Sequence, residues 1–151
     1  RRTLDSTTKQ KAHKLLEQYG LEQFAGSRPS ELSGGMRQRA ALIRTLLPDP
    51  KLLLLDEPFS ALDYQTRLTV SDDIGQIIRK SGKTALLVTH DLSEAVSLSD
   101  RIIVLTKRPA SISCIVPVTF SLAEDTPLNR RNAPEFKTYF NKIWKELNHD
   151  E

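Results

Sequence analysis

The sequence is poor in several residue types that mark particular classes of protein. Its 151 residues contain one cysteine, six glycines and eight prolines, and only 6% of them are aromatic. The single cysteine, Cys114, excludes an internal disulfide, and its place in an apolar run favours a buried structural thiol and a reducing compartment. No apolar run approaches the roughly 20 residues that cross a bilayer, so we expect a soluble chain.

The chain also lacks a large excess of positive or negative charge. Lysine and arginine number 22 against 19 acidic residues, which gives a net charge of +3. The densest basic cluster is Arg1, Arg2, Lys9, Lys11 and Lys14. Surfaces that bind single-stranded nucleic acid add aromatic side chains that stack on the bases, and no aromatics alternate with these residues. We therefore interpret the cluster as a solvated helix face and expect no nucleic-acid partner.

Residues 51–63, which read KLLLLDEPFSALD, carry the strongest chemical signal in the chain. Four consecutive leucines predict a strand covered on both faces, as in a parallel sheet flanked by helices. Asp56 and Glu57 follow at its carboxyl end, where open α/β sheets bind their ligands. Because neighbouring strand residues point to opposite sides, we expect one carboxylate to hold a metal and the other to handle a proton. Pro58 then ends the strand.

A glycine-bearing turn precedes this strand. The spacing of apolar residues predicts a helix over residues 6–19, capped by Asp5 or Ser6, and a second helix that begins after Ser33-Gly34-Gly35 and ends before Pro48. The N–H groups and the dipole at the start of a helix attract anions. The same three residues are also typical of a flexible turn, so this pattern alone leaves both interpretations open.

Downstream of the central strand, apolar segments alternate with helical ones. A helix is predicted from Asp63 to Gly82, followed by strands over residues 84–89, 101–106 and 113–120. His90 follows the first of these strands, and Asp91 with Glu94 has the form of a capping box. Counted from the central strand, the order is strand, helix, strand, helix, strand. It predicts parallel pairing of the central strand with the strands over residues 84–89 and 101–106, through right-handed crossovers.

The carboxyl-terminal part differs in composition. Residues 121–131 are polar and are interpreted as a linker. Asn132 is then expected to cap a helix with Pro134 in its first position. Its apolar residues form a wide stripe that must pack against another element: Phe136, Tyr139, Phe140, Ile143, Trp144 and Leu147.

Four of these elements, in this order, resemble the motifs of one family. LSGGMRQR at residues 32–39 resembles the signature loop of the ATP-binding cassette (ABC) transporter ATPases, and LLLLDE resembles their Walker B strand. SALD at residues 60–63 resembles the D-loop, and His90 after Thr89 resembles the switch histidine. Over roughly residues 31–105 the chain therefore resembles the ATP-hydrolysing subunit of an ABC transporter.

The resemblance implies an α/β fold: a partial P-loop NTPase core with a parallel sheet, the remainder of a helical subdomain, and a C-terminal helix. Residues 1–50 would be the remainder of the helical subdomain with the signature loop. Residues 51–120 would be the Walker B, D-loop and H-loop part of the nucleotide-binding core. Residues 121–151 would be the linker and the amphipathic C-terminal helix.

The resemblance also implies the cofactors ATP and Mg²⁺ and assigns catalytic roles. Asp56 would hold Mg²⁺ through water, which agrees with the preference of this ion for few protein carboxylates. Glu57 would orient and deprotonate the attacking water, a task that needs a carboxylate near the γ-phosphate. His90 would contact the γ-phosphate and sense it.

A second group of residues is implied to act across a dimer interface. Ser33, Gly34, Gly35 and Gln38 would contact the γ-phosphate of ATP held by a second ATPase subunit, so that hydrolysis depends on dimerisation. Asp63 would cross the same interface, and capping of the following helix is the alternative explanation of an aspartate there.

The end of the chain narrows the resemblance to the nitrate, sulfonate or taurine type of importer. The segments that carry it are RPASISCIVPV, APEF and IWKEL. The implied function is ATP hydrolysis coupled to solute import by a peripheral subunit on the cytoplasmic side of the cell membrane. Its partners would be transmembrane permease subunits and, indirectly, a solute-binding protein.

One motif of the family is absent. No G-x-x-x-x-G-K-[ST] stretch, the Walker A loop that cradles phosphates, occurs in the sequence, and the chain begins with Arg1. We expect a C-terminal portion of a longer ATPase that is inactive when isolated. Two alternatives remain open: an ABC-type ATPase of DNA repair or translation, and a non-catalytic fragment that acts only in trans.

Overall fold

The computed structural model describes residues 5–148. Residues 1–4 and 149–151 lie outside the described part, and with them Arg1 and Arg2 of the basic cluster that we interpret as a helix face. The described residues form two compact units, one ending at Leu86 and the other beginning at Leu87. This boundary falls inside the predicted segment 51–120, and the three-segment division stays a prediction.

The first unit begins with the predicted helix α1 (Ser6–Gln18), in which Asp5 accepts a hydrogen bond from the Thr8 N–H at 2.7 Å. Gly20 ends the segment with a φ of +68°, a conformation that glycine adopts at little cost. Two short 3-10 helices, Glu22–Phe24 and Pro29–Glu31, lead into α2 (Gly34–Leu46). The two helices predicted before the central strand are thus confirmed.

A strand, a helix and a strand follow: β1 (Leu52–Asp56), α3 (Tyr64–Ser81) and β2 (Thr84–Val88). β1 and β2 are hydrogen-bonded neighbours in a two-stranded sheet. The Lys83 ammonium donates to the Asp49 carboxylate at 2.5 Å and so joins the segments that enter the two strands, as parallel pairing requires. The predicted parallel sheet is confirmed for this pair.

The prediction that β1 is covered on both faces is wrong for the described residues. Leu53 is 0% exposed, but Leu52 and Leu54 are 50% and 66% exposed. The helices of the first unit cover one face of the strand only, so successive leucines alternate between the core and the surface.

The second unit contains α4 (Leu92–Leu98) and a hairpin of β3 (Arg101–Leu105) and β4 (Ile112–Pro117). The two strands pair antiparallel, from Arg101 opposite Pro117 to Val104 opposite Cys114. The prediction that the third strand continues the parallel sheet is therefore wrong, because its hydrogen-bonded neighbour among the described strands is β4. The connection over residues 106–111 is shorter than the dozen or so residues of a crossover, so an antiparallel hairpin is its natural outcome.

Two helices complete the second unit, α5 (Pro127–Asn132) and α6 (Pro134–Asn148). α5 lies largely within the predicted linker, and Asn132 ends it instead of capping α6. The helix forms there because Arg130 is 3% exposed and its guanidinium donates to both Asp125 oxygens and, at 2.7 Å, to the Ser99 carbonyl.

The predicted apolar stripe of α6 is used in part. Ile143 packs into a core formed by residues of α4, β3, β4 and the segment after β4: Val96, Ile102, Val104, Val116 and Val118. Cys114 is half-buried beside this core, and burial raises the pKa of its thiol. Trp144 and Leu147 stay 56% and 42% exposed. Within residues 5–148, no helix combines the length and apolar character needed to cross a membrane.

Candidate functional site

The carboxyl end of β1 places Asp56 and Glu57 next to each other in different surroundings. Asp56 is the last residue of the strand and is exposed, whereas Glu57 is half-buried and begins the following turn. This is the edge at which open α/β sheets bind ligands. The position predicted for the two acids is therefore the observed one, and the division of roles between them stays a prediction.

Glu57 has a backbone conformation that is unusual for a residue with a side chain. Its φ is +46°, in the left-handed region that favours glycine. Such residues cost of order 1–3 kcal/mol and persist where the surroundings hold them. Here the Glu57 carbonyl accepts hydrogen bonds from the Ser60 hydroxyl at 3.0 Å and the Ser60 N–H at 3.3 Å, and Phe59 is 1% exposed. A strained non-glycine residue at the end of a strand makes Glu57 a candidate functional residue.

The signature-like loop forms an ordered helix start. Ser33 is the N-cap of α2, and its hydroxyl accepts a hydrogen bond from the Met36 N–H at 3.2 Å. Its own hydrogen stays available for donation to another acceptor. The flexible turn that the sequence pattern left open is therefore not what the structure contains.

Gly34 and Gly35 lie against the elements that follow β1. A Cβ atom added at Gly34 would be 3.1 Å from the Leu62 Cδ2 atom, and one at Gly35 would be 2.7 Å from the Val70 Cγ2 atom. Real Cβ atoms essentially never approach as closely as 2.7 Å. Both glycines therefore let α2 pack closely against the turn after β1 and against α3.

Gln38 lies one turn further along α2 and is half-buried. It lines a small cleft of about 80 Å³ together with Leu55 of β1 and Pro58 of the following turn. The other lining residues come from α2 and α3: Ala41, Leu42, Thr45 and Ile74. Gln38 therefore lines the same cleft as the end of β1, and its predicted contact with a phosphate stays a prediction.

Asp63 closes the turn after β1 as the N-cap of α3. Its carboxylate accepts a hydrogen bond from the Thr66 N–H at 3.1 Å. Hydrogen bonds from the Thr66 side chain and then from its backbone hold the pKa of Asp63 below its ordinary value. The capping role that the sequence offered as an alternative is thus observed, and a contact across an interface stays a prediction.

His90, the remaining predicted residue, follows β2, belongs to the second unit and is exposed. The next residue, Asp91, is the N-cap of α4 and accepts hydrogen bonds from the N–H groups of Ser93 at 2.8 Å and Glu94 at 3.2 Å. The histidine therefore stands directly before a capped helix.

The first unit brings the other predicted residues close together in two groups. Asp56, Glu57 and Asp63 share the turn after β1, and the start of α2 adjoins this turn through the approach of Gly34 to Leu62. Sequence reasoning missed the supporting residues Ser60 and Val70. Ser60 was visible as part of the SALD motif, whereas no sequence signal marked Val70 as the neighbour of a glycine.

The carboxylates of the first unit fit an ion that is bound jointly with phosphates. Among residues 5–148, no group of three or more His, Cys, Asp or Glu side chains is arranged to hold a metal. Mg²⁺ in phosphate-transfer sites uses one or two carboxylates, several waters and the phosphates themselves, without an all-protein cage. The exposed Asp56 carboxylate at a strand end is a donor of this kind.

Known proteins of similar sequence include ATP-binding proteins of ABC transporters. Residues 2–60 match the family model described as ABC transporter. The chain is 49% identical over 146 residues to an uncharacterized ABC transporter ATP-binding protein, YtlC, of Bacillus subtilis, which covers 97% of this chain and 56% of that protein. It is 42% identical over 144 residues to the aliphatic sulfonates import ATP-binding protein SsuB of Bacillus licheniformis, with 95% and 54% covered. The chain thus spans about half the length of the curated relatives it matches.

Solved structures of similar fold include an ABC transporter and an ABC transporter cassette. An inward-facing ABC transporter described as of metal-chelate type matches with a TM-score of 0.58 and 28% identity, covering 67% of this chain and 41% of that one. A dimeric bacterial ABC transporter cassette matches with a TM-score of 0.50 and 34% identity, covering 68% and 45%. The predicted fold class is thereby confirmed. In its motifs, in its sequence over nearly its whole length and in its fold, the chain is thus similar to ATP-binding proteins of ABC transporters.

Proposed function

We propose that this chain supplies the catalytic carboxylate, the signature loop and the switch histidine of an ATPase subunit that drives solute import. The observation that carries the proposal is the strained Glu57, which directly follows Asp56 at the carboxyl end of β1. The similarity of the whole chain to ATP-binding proteins of ABC transporters supports the same conclusion.

In this proposal the residues after β1 divide the work. Asp56 holds Mg²⁺ together with the phosphates of ATP, and the ion neutralises phosphate charge when it is bound. Glu57 orients the attacking water and accepts its proton. The left-handed turn and the two hydrogen bonds from Ser60 keep the Glu57 backbone in one place, so little reorganisation is needed at the moment of reaction.

Ser33, Gly34, Gly35 and Gln38 present the start of α2 to the γ-phosphate of ATP bound by a second subunit. Helix starts carry unpaired N–H groups and a positive dipole end, both of which favour a phosphate. Asp63 lies at the same edge, on the turn that Gly34 touches through Leu62. The dimeric state of the similar bacterial cassette supports this pairing.

The transported solute is proposed to be an organic sulfonate. This rests on the relative named as an aliphatic sulfonates importer, which matches nearly the whole chain. The partners would be transmembrane permease subunits at the cytoplasmic face of the membrane and a solute-binding protein. Deletion of the gene should then abolish growth on an aliphatic sulfonate as sole sulfur source and spare growth on sulfate. Unimpaired growth on the sulfonate would refute this choice of solute.

ATP turnover by the complete protein tests the proposed role of Glu57. Glu57→Gln keeps the size of the side chain but removes the proton acceptor, so turnover should fall by about 10²–10⁴-fold while MgATP affinity is retained. Glu17→Gln, on the exposed face of α1, is the matched control and should leave turnover unchanged. Normal turnover in Glu57→Gln would contradict the proposal.

A further inference from the structure

The first turn of α4 contains a buried carboxylate that the proposed function does not use. Glu94 is 6% exposed, and its Oε2 atom accepts a hydrogen bond from the Thr89 hydroxyl at 2.7 Å. Burial of a carboxylate is costly unless hydrogen bonds compensate for the lost water. The Thr89 hydroxyl is therefore a partner that Glu94 needs.

The Thr89 hydroxyl connects the residues before and after His90 to helix α4. Thr89 Oγ1 accepts a hydrogen bond from the Asp91 N–H at 3.0 Å while it donates to Glu94. The Asp91 carboxylate in turn accepts from the N–H groups of Ser93 and Glu94. The residues before and after His90 are thus fixed to the first turn of α4, and the imidazole itself is exposed.

This arrangement extends the capping box that the sequence predicts. In a capping box the third helical residue accepts directly from the N–H of the N-cap residue. Here the Asp91 N–H donates to the Thr89 hydroxyl, and that hydroxyl donates to Glu94. The added hydroxyl carries the constraint from the helix across His90 to the end of β2.

We propose that Glu94 is a positioning residue, which acts through Thr89 to hold the backbone of residues 89–91 and so fixes the orientation of His90. The inference rests on the proposed function, because it concerns the contact of His90 with a γ-phosphate. A small displacement of a group that must meet a phosphate lowers the rate while leaving nucleotide binding largely intact.

Two pairs of substitutions separate loss of the hydrogen bond between Thr89 and Glu94 from a change in the size or shape of these side chains. Glu94→Ala removes the acceptor of the Thr89 hydroxyl, whereas Glu94→Gln keeps an acceptor oxygen of the same reach. Thr89→Val removes the hydroxyl and keeps the branched shape, whereas Thr89→Ser keeps the hydroxyl. In the complete protein, the first member of each pair should lower kcat by about 10- to 100-fold with little change in KM. The second member should keep kcat within about twofold of the unmodified protein.

Combination with His90→Ala gives a readout that a merely structural role would not move. If Glu94 acts through His90, Glu94→Ala should cause no further loss of turnover in a His90→Ala background. Losses that multiply in the double variant would overturn the inference.

Amide hydrogen exchange in the 151-residue chain tests the positioning without reference to turnover. The Asp91 amide should exchange about tenfold faster in Glu94→Ala and Thr89→Val and at the original rate in the two conservative variants. An unchanged Asp91 rate in Glu94→Ala would overturn the inference even if His90 proves essential. Conversely, unchanged turnover in His90→Ala would refute the proposed role of the histidine while the exchange data still report on Glu94.

Discussion

Both β1 and β2 are followed by a turn that carries a predicted catalytic residue, Glu57 or His90, and the two turns hold that residue by different means. After β1, Glu57 has a φ of +46° and is held through its own carbonyl, which accepts two hydrogen bonds from Ser60. After β2, His90 does not have a positive φ: among the described non-glycine residues, Asp49 and Glu57 have one. The neighbours of His90 are instead fixed by side-chain hydrogen bonds to α4.

This difference indicates which changes should disturb each turn. The turn after β1 depends on packing, because Phe59 is buried and Gly34 lies against Leu62. The turn after β2 depends on particular oxygen atoms, those of Thr89, Asp91 and Glu94. Substitutions that alter volume should act on the first turn, and substitutions that remove acceptors should act on the second.

The largest effect on stability is expected at Gly35. Gly35→Ala places a Cβ atom 2.7 Å from Val70 Cγ2, and overpacking of this kind costs about 1–3 kcal/mol of unfolding free energy. Gly26→Ala is the matched control, because nothing lies within 4 Å of a Cβ atom there. Urea denaturation followed by circular dichroism measures both.

The double variant Gly35→Ala/Val70→Ala sharpens this test. Removal of the Val70 methyl groups relieves the clash, so the double variant should lose less stability than the sum of the two single variants. Strict additivity would mean that close packing of α2 on α3 does not explain Gly35.

A smaller effect is expected at the two helix caps. Asp63→Ala and Asp91→Ala should each cost about 0.5–2 kcal/mol, because a capping carboxylate is lost. The loss should be greater for Asp91, whose carboxylate accepts from two backbone N–H groups at the start of its helix, than for Asp63, which accepts from the Thr66 N–H and the Thr66 side chain. Asn substitutions should preserve most of the stability at both positions. A larger loss at Asp63 would reverse the expected order of the two turns.

The smallest effect is expected from acid. The pKa of Asp63 is lower in the folded chain than its ordinary value of 3.8, so its charged form stabilises the fold above that pH. This contribution should disappear as pH falls from about 3.8 through the lower, folded pKa. Asp63→Asn should therefore reduce the acid sensitivity of thermal unfolding between pH 5 and pH 2, taken as roughly the titration range of a carboxylate. An unchanged pH profile would show that the carboxylate charge is not used for capping.

Local signals were sufficient for much of the fold and for the position of the site. Asp5, Asp63 and Asp91 cap the helices that their positions in the sequence indicate, because capping depends on a few adjacent residues. The placement of Asp56 and Glu57 after an apolar strand follows from the same kind of local pattern.

Features that depend on distant parts of the chain were not predictable in this way. Four leucines in a row do not reveal which face of β1 is covered, and Leu54 proved to be 66% exposed. Helix α5 lies within a polar stretch of sequence. It is held there by the buried Arg130, whose guanidinium donates hydrogen bonds to Asp125 and to the Ser99 carbonyl. The positive φ of Glu57 had no signal either, since glutamate is not a residue that favours it.

The most direct test compares glycine with alanine at the two turns. Because alanine retains the strain of a positive φ and glycine relieves it, Glu57→Gly should be more stable than Glu57→Ala by about 1 kcal/mol. At His90 the order should reverse, with His90→Gly less stable than His90→Ala by about 0.5–1 kcal/mol. No strain is relieved there, and glycine loses more conformational entropy than alanine when the chain folds. Urea unfolding of the four variants gives both differences. Opposite signs at the two positions are predicted, and the same sign at both would contradict the conclusion that only the first turn is held in a strained conformation.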